Sequence, residues 1–322
     1  MGAPMVVKWT DGGAPTLSRV ASSVIDVLDY CLPQKGWTKV FSGTDKAVYR
    51  AGSGERKFYR VQNDGSFYYS STSYQYCHAR ITAYDSMTDV DTGTGQWGQR
   101  HFNVSNSGTP VPRPWMCIFN ETTFLFVCLP TKTTGVTMAS ANSNILGFGD
   151  TKAALPGNTD RSFIAGTWLS SPATNNCALS CPYSTIATGY AKLVCNRSLD
   201  GSRTALDTGL FNNGGLSGAK DGELYPFGRS SAAPFAYPYN GEMLYGRPMM
   251  DDGSAYTLGD YIPGLFYPCH QGNTLNNWGE YTADSKTLVA VRVVSSNSIS
   301  FDTTTASDIG AVLISLDEGD WT

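Results

Sequence analysis

From residue 36 onward the hydrophobic positions fall at nearly every second residue, the period of a strand with one buried face. Trp37-Thr38-Lys39-Val40-Phe41 and Lys46-Ala47-Val48-Tyr49-Arg50 flank Ser42-Gly43-Thr44-Asp45, a hairpin signature, and Phe58-Tyr59-Arg60-Val61 supplies a third strand. Ala79-Arg80-Ile81-Thr82-Ala83-Tyr84 reads as a further strand, ending in an acidic loop of Asp, Thr and Gly over residues 85–95. Met116-Cys117-Ile118-Phe119 and Phe124-Leu125-Phe126-Val127 are apolar at every position around a polar turn at Asn120-Glu121, so both strands are expected to be buried. A turn there sets Cys117 opposite Phe124. Together these segments predict an antiparallel meander of about six strands.

One stretch has helical spacing instead. Val20, Val24, Val27, Leu28 and Cys31 form a single apolar stripe over residues 16–31, with Ser22, Ser23, Asp26 and Asp29 opposite. Thr16 or Ser18 is the expected cap and Pro33 the stop. Such a helix packs on a sheet. Residues 170–287 loosen into Pro, Gly, Asn and Tyr, which predicts a loop-rich elaboration. Residues 288–294 and 309–316 return as strongly apolar strands that rejoin the core. The expected fold is α+β and mostly β, with antiparallel sheets, one N-terminal amphipathic helix and a loop-rich second half. Its parts are 1–169, 170–287 and 288–322.

Composition narrows the functional classes. Charged residues are 16% of the 322, against about a quarter in typical domains. The net charge is −4 and no basic cluster is present, so nucleic acid is not an expected partner. No apolar run reaches the length of a membrane-spanning helix, and the first residues lack a secretory pattern, so neither membrane nor export is expected.

Candidate chemistry is sparse. Gly93-Thr94-Gly95-Gln96-Trp97-Gly98 spells the G-x-G-x-x-G string, yet no helix pattern follows to hold a pyrophosphate. Asp85, Asp89 and Asp91 could gather oxygen ligands, but no Glu closes the calcium-loop pattern, and turn-forming aspartates are the plainer reading. His78, His101 and His270 lack a nucleophile-and-base context. No catalytic residue, cofactor or metal site is therefore expected; a hydrolase whose paired carboxylates meet only in space stays as a minor alternative.

Of eight cysteines, Cys177, Cys181 and Cys195 are the expected group for any disulfide, closed after release into an oxidising medium. Buried free thiols are the plainer reading, and Cys31 on the helix stripe is expected to be one. A concentration of aromatics among Gly, Ser and Asn marks a candidate contact surface: Tyr225, Phe227, Phe235, Tyr237, Tyr239, Tyr256, Tyr261, Phe266 and Tyr267. It could bind another protein subunit or stack on sugar rings, or simply pin long loops.

The chain also carries a resemblance. Gly36-Trp37-Thr38-Lys39, Phe41-Ser42-Gly43-Thr44, Ala47-Val48-Tyr49-Arg50 and Phe58-Tyr59-Arg60-Val61 are similar to segments of a family of tailed-bacteriophage virion structural proteins. So are Tyr84-Asp85-Ser86-Met87-Thr88-Asp89-Val90-Asp91-Thr92-Gly93-Thr94-Gly95, Arg113-Pro114-Trp115 and Gly259-Asp260-Tyr261-Ile262-Pro263-Gly264-Leu265-Phe266-Tyr267-Pro268-Cys269-His270. The resemblance implies a non-enzymatic component of the virion, assembled in the host cytoplasm. Its expected partners are other virion proteins and copies of itself in a symmetric particle, as capsid decoration, collar or tail-surface subunit. The alternative is a tail adhesin that binds host glycan.

Overall fold

The computed structural model describes residues 2–64, 70–71, 74–75, 77–105, 112–128, 144–154, 157, 159–166, 179, 192–198, 204–209, 245–247, 250, 259–268, 278–294 and 309–322. These form antiparallel sheets in three layers, with one short helix. The middle layer has seven strands in the order Met5–Lys8, Trp115–Phe119, Thr123–Cys128, Asn144–Asp150, Ser162–Ala165, Lys192–Arg197, Thr204–Gly209. Alternate residues of these strands enter two different cores. Trp115, Cys117, Phe119, Phe124 and Phe126 lie in one apolar cluster, while Met116, Ile118, Leu125 and Val127 lie in another. A sheet apolar on both faces must be covered on both.

The first cover is a five-stranded meander, Thr38–Gly43, Lys46–Arg50, Phe58–Gln62, Cys77–Met87 and Gly93–Ser105, in sequence order. Its inward Ala47, Tyr49, Tyr59, Val61, Ile81 and Phe102 meet the first face of the middle sheet. The second cover is a five-stranded sheet in the order Tyr245–Gly246, Leu265–Pro268, Ile309–Ser315, Lys286–Val294, Glu280–Ala283. Leu265, Tyr267, Val289, Val291, Val312 and Ile314 close the second core.

The expected single meander is thus split. The hairpin at 115–128 leaves the first sheet and starts the second, because its strands have no polar face to present to water. Its register also differs from expectation by two residues: Cys117 faces Phe126, and Cys128 faces Trp115. The Asn120 side chain is the cause. Its Oδ1 accepts the N–H groups of Thr122 (2.9 Å) and Thr123 (2.8 Å), which lengthens the turn to include Thr122.

The helix is shorter than its stripe suggested, running Ser23–Cys31 and continuing as a 3₁₀ turn, Leu32–Lys35, with Pro33 inside that turn. Val20 lies outside it and is exposed. Neither Thr16 nor Ser18 caps the helix. Asn63, at the end of Phe58–Gln62, does so: its Oδ1 accepts the Val24 N–H at 2.9 Å. Ser23, expected outside, is buried and donates to the Ser18 carbonyl at 2.6 Å. Residues 99–103, after the G-x-G-x-x-G string, belong to the strand Gly93–Ser105 and form no helix.

Trp321 joins the layers from the chain's end. Its fully buried ring sits in the second core and its indole N–H donates to the Ser315 carbonyl at 2.8 Å. Its own carbonyl accepts the Asn120 side-chain amide at 3.1 Å. Gly264 has φ +71, and a side chain there would collide with the indole. Trp321→Ala is expected to cost about 3–5 kcal/mol in urea unfolding, whereas Val20→Ala should change stability by less than about 0.5 kcal/mol.

Candidate functional site

Of the candidate contact aromatics, Tyr225, Phe227, Phe235, Tyr237, Tyr239 and Tyr256 lie outside the described residues. Tyr261, Phe266 and Tyr267 are described, and two of them correct the expectation of an outward surface. Tyr267 is fully buried in the second core, its hydroxyl donating to the Leu179 carbonyl at 2.7 Å. Phe266 is 5% exposed and packs with Leu288, Ala290 and Leu313. Alternation along Leu265–Pro268 sends the two rings to opposite faces, and every residue of that strand is buried. Tyr261 is half-buried, with the Arg247 guanidinium 4.0 Å from its ring centre and 4.9 Å from that of Phe266. Arg247 is in turn held by Asp320 at 2.8 Å, which also accepts Lys286 and the Ser315 hydroxyl. These aromatics build the protein's own third layer.

The strongest polar constellation links a loop of the first sheet, the middle sheet and a short two-stranded ladder. Arg161, which precedes the middle-sheet strand Ser162–Ala165, grips Asp260 through two bonds, Nε to Oδ2 at 2.7 Å and a terminal nitrogen to Oδ1 at 2.6 Å. Both side chains are fully buried. Asp260 opens the short strand Asp260–Tyr261, which pairs with Lys152–Ala153. Burial lifts the Asp260 carboxyl above its ordinary pKa, and the two guanidinium bonds oppose that lift. Arg161 also donates to the Arg197 carbonyl at 3.2 Å, and Arg197 binds Glu55 through both carboxylate oxygens, at 3.2 and 2.9 Å.

Glu55 belongs to the loop between two first-sheet strands, and that loop is fastened a second time. Asp150 Oδ2 accepts the Glu55 backbone N–H at 2.7 Å, while Oδ1 accepts the Ser162 hydroxyl at 2.9 Å. Gly54 makes the approach possible, since it has φ +75 and a side chain there would strike the Asp150 carboxylate. Burial pushes Asp150 up to about 6, against the two bonds that favour its ionised form, and the charges of Glu55 and Asp160 add to the rise. A raised carboxylic acid beside other carboxylates is the pattern of a general acid. Here both oxygens are already taken by the protein's own donors, which is the pattern of a clamp.

The acidic loop is pinned rather than open. Asp85 pairs with Lys57 at 2.7 Å, and Asp91 with Lys46 at 2.9 Å and with Arg60. Asp89 accepts the N–H groups of Asp91 and Thr92, both at 2.7 Å, which lowers its pKa. Among the described residues no three acidic, His or Cys side chains gather as metal ligands. His101 sits on Gly93–Ser105 and is nearly buried, His78 has its backbone opposite Asn103 on the neighbouring strand, and His270 is outside the described residues. Cys177 and Cys181 are also outside them, and Cys195 is buried on Lys192–Arg197. Cys31 is a buried free thiol in the first core.

The residues of the clamp carry no motif. The only sequence signal was a charge beside an apolar stretch: Asp150 after Phe148-Gly149, Arg161 before Ser162-Phe163-Ile164, Asp260 before Tyr261-Ile262. In a chain this poor in charge such positions are worth marking, but their pairing is not readable from sequence.

Arg161→Met alone is expected to lose about 3–5 kcal/mol, because it strands a buried carboxylate. Adding Asp260→Leu should recover most of that loss in chemical unfolding. For Asp150 the folded-state pKa of about 6 lies above the ordinary value of 3.8, so its contribution to stability is full below pH 4 and lost as pH rises through 6. The unfolding free energy of wild type relative to Asp150→Asn should therefore increase by on the order of 2 kcal/mol from pH 7 to pH 4.

Set beside known proteins, the chain matches no family model and no curated sequence.

Proposed function

We propose that this chain is a non-enzymatic structural subunit of a tailed-bacteriophage particle, attached to other virion proteins as capsid decoration, collar or tail-surface component. The observation that carries the reading is how the interior charges are used. The buried carboxylates among the described residues, Asp150, Asp260 and Asp320, each bind protein donors that belong to a different strand or loop. The charges cross-tie strands, loops and layers, as a rigid building block requires. The acidic loop, the most specific part of the resemblance, is likewise fixed on the outer face of the first sheet by Lys46, Lys57 and Arg60. Rigidity matters on a particle because subunits held by modest interfaces gain avidity only if their contact surfaces are presented in fixed geometry.

The gene is expected to lie among head, neck and tail genes, and mass spectrometry of purified particles should find this chain at a constant ratio to the major structural proteins. Particles that lack the chain would overturn the assignment.

A further inference from the structure

Cys31 and Cys117 meet inside the first core. Cys31 is the last residue of the helix Ser23–Cys31, and Cys117 is the middle residue of the strand Trp115–Phe119. Both side chains are fully buried in one apolar cluster, and both are free thiols. The Cys117 thiol hydrogen-bonds the Cys31 sulfur. Two sulfurs in such contact need to close by only about 2 Å to reach the length of a disulfide bond.

The backbone around the pair is already fixed. Beyond the helix, the Trp37 indole N–H donates to the Asn120 carbonyl at 2.8 Å, tying the chain after Cys31 to the turn that ends the strand of Cys117. The other end of the helix is held by Asn63, which accepts the Val24 N–H at 2.9 Å. Cys117 is paired on both sides, with Val7 and with Phe126. Cys128 is the competing partner, since it lies in the same cluster two residues along from Phe126. Its thiol donates instead to the Val104 carbonyl at 3.7 Å. Diagonal strand positions of that kind are about 7–8 Å apart, beyond the usual disulfide span.

We infer that Cys31 and Cys117 are a latent disulfide, a bond that locks the helix to the middle sheet once the chain meets a disulfide oxidant. One protein thiol loses its proton, and the thiolate attacks a sulfur of the oxidant, releasing one small thiol and leaving a mixed disulfide. The second protein thiolate then attacks the protein sulfur of that bond and expels the other half of the oxidant. Two protein S–H bonds are exchanged for one S–S bond, and the oxidant leaves as two thiols that carry the two protons. The loop so closed contains all five strands of the first cover, so the bond restricts the unfolded chain strongly.

Burial sets the timing. Burial first, and then the bond to Cys31, hold the Cys117 thiol above its ordinary pKa, so the closed core keeps it protonated and unreactive. Reaction needs the helix to lift from the core by local opening. The lock therefore closes slowly, and a reductant opens it only by the same route. The inference is independent of residence on a particle.

The test uses the full chain, dilute and at about pH 8.5, with oxidised glutathione and urea below the unfolding midpoint. Mapping of unreduced peptides is expected to find Cys31 joined to Cys117, and sooner as urea is added. The cross-linked protein should unfold at a urea midpoint higher by about 1 M, and dithiothreitol should remove that shift. Cys31→Ala and Cys117→Ala should each abolish the cross-link and the shift, while Cys128→Ala keeps both. Recovery of Cys31 and Cys117 as free thiols after oxidation, or a link from Cys117 to Cys128, would overturn the inference. So would a cross-linked protein that unfolds at lower urea than the reduced one, because the bond would then not fit the folded core.

Discussion

The constraint from which the architecture follows is that the middle sheet has no polar face. Trp115–Phe119 and Thr123–Cys128 are buried at every position, with odd and even residues entering separate cores. Leaving either face open would expose a contiguous apolar surface far larger than a soluble chain normally tolerates. One cover comes from the strands before the hairpin and the other from strands near the chain's end. Contacts of very long sequence separation are therefore unavoidable, and Asn120 bonding the Trp321 carbonyl is an example. Folding to this topology requires the ends of the chain to meet at the middle sheet, the kind of non-local pairing that is slow to form.

Apolar burial alone would not specify how three nearly featureless layers align. The chain from Glu55 to Arg197, Arg161 and Asp260 adds directional bonds between a first-sheet loop, the middle sheet and the Asp260–Tyr261 strand, each strand or loop supplying one partner. A buried ion pair adds little net stability, because desolvation offsets most of its attraction, but breaking it is costly. Such a pair penalises wrong alignments more than it rewards the right one. The Asp150 clamp and the Arg247–Asp320–Lys286 group act similarly at the first and third layers.

The surface shows the complementary economy. The face of the first sheet that points away from the core carries Lys46, Lys57 and Arg60 locked to aspartates of the hairpin loop. At the edge of the middle sheet Trp9 packs on Trp278, and each ring also packs against one of the two cores.

Local physics was enough to mark the strands. The period-two runs at 38–50 and 58–62, the unbroken apolar runs at 116–127 and the strands near the chain's end all follow from side-chain alternation, which depends only on neighbours along the chain. The helix was visible from its stripe, but its start was not, because Asn63 caps it from a strand about forty residues away. The hairpin's existence was legible and its register was not, since Asn120 folds its own side chain into the turn. Phe266 and Tyr267 looked like surface aromatics because composition alone cannot say that a sheet will be covered on both sides. The same holds for the charges. Arg161 and Asp260 are ordinary residues in sequence, and only a fold that brings positions 161 and 260 into one dry space turns them into a pair that neither can leave.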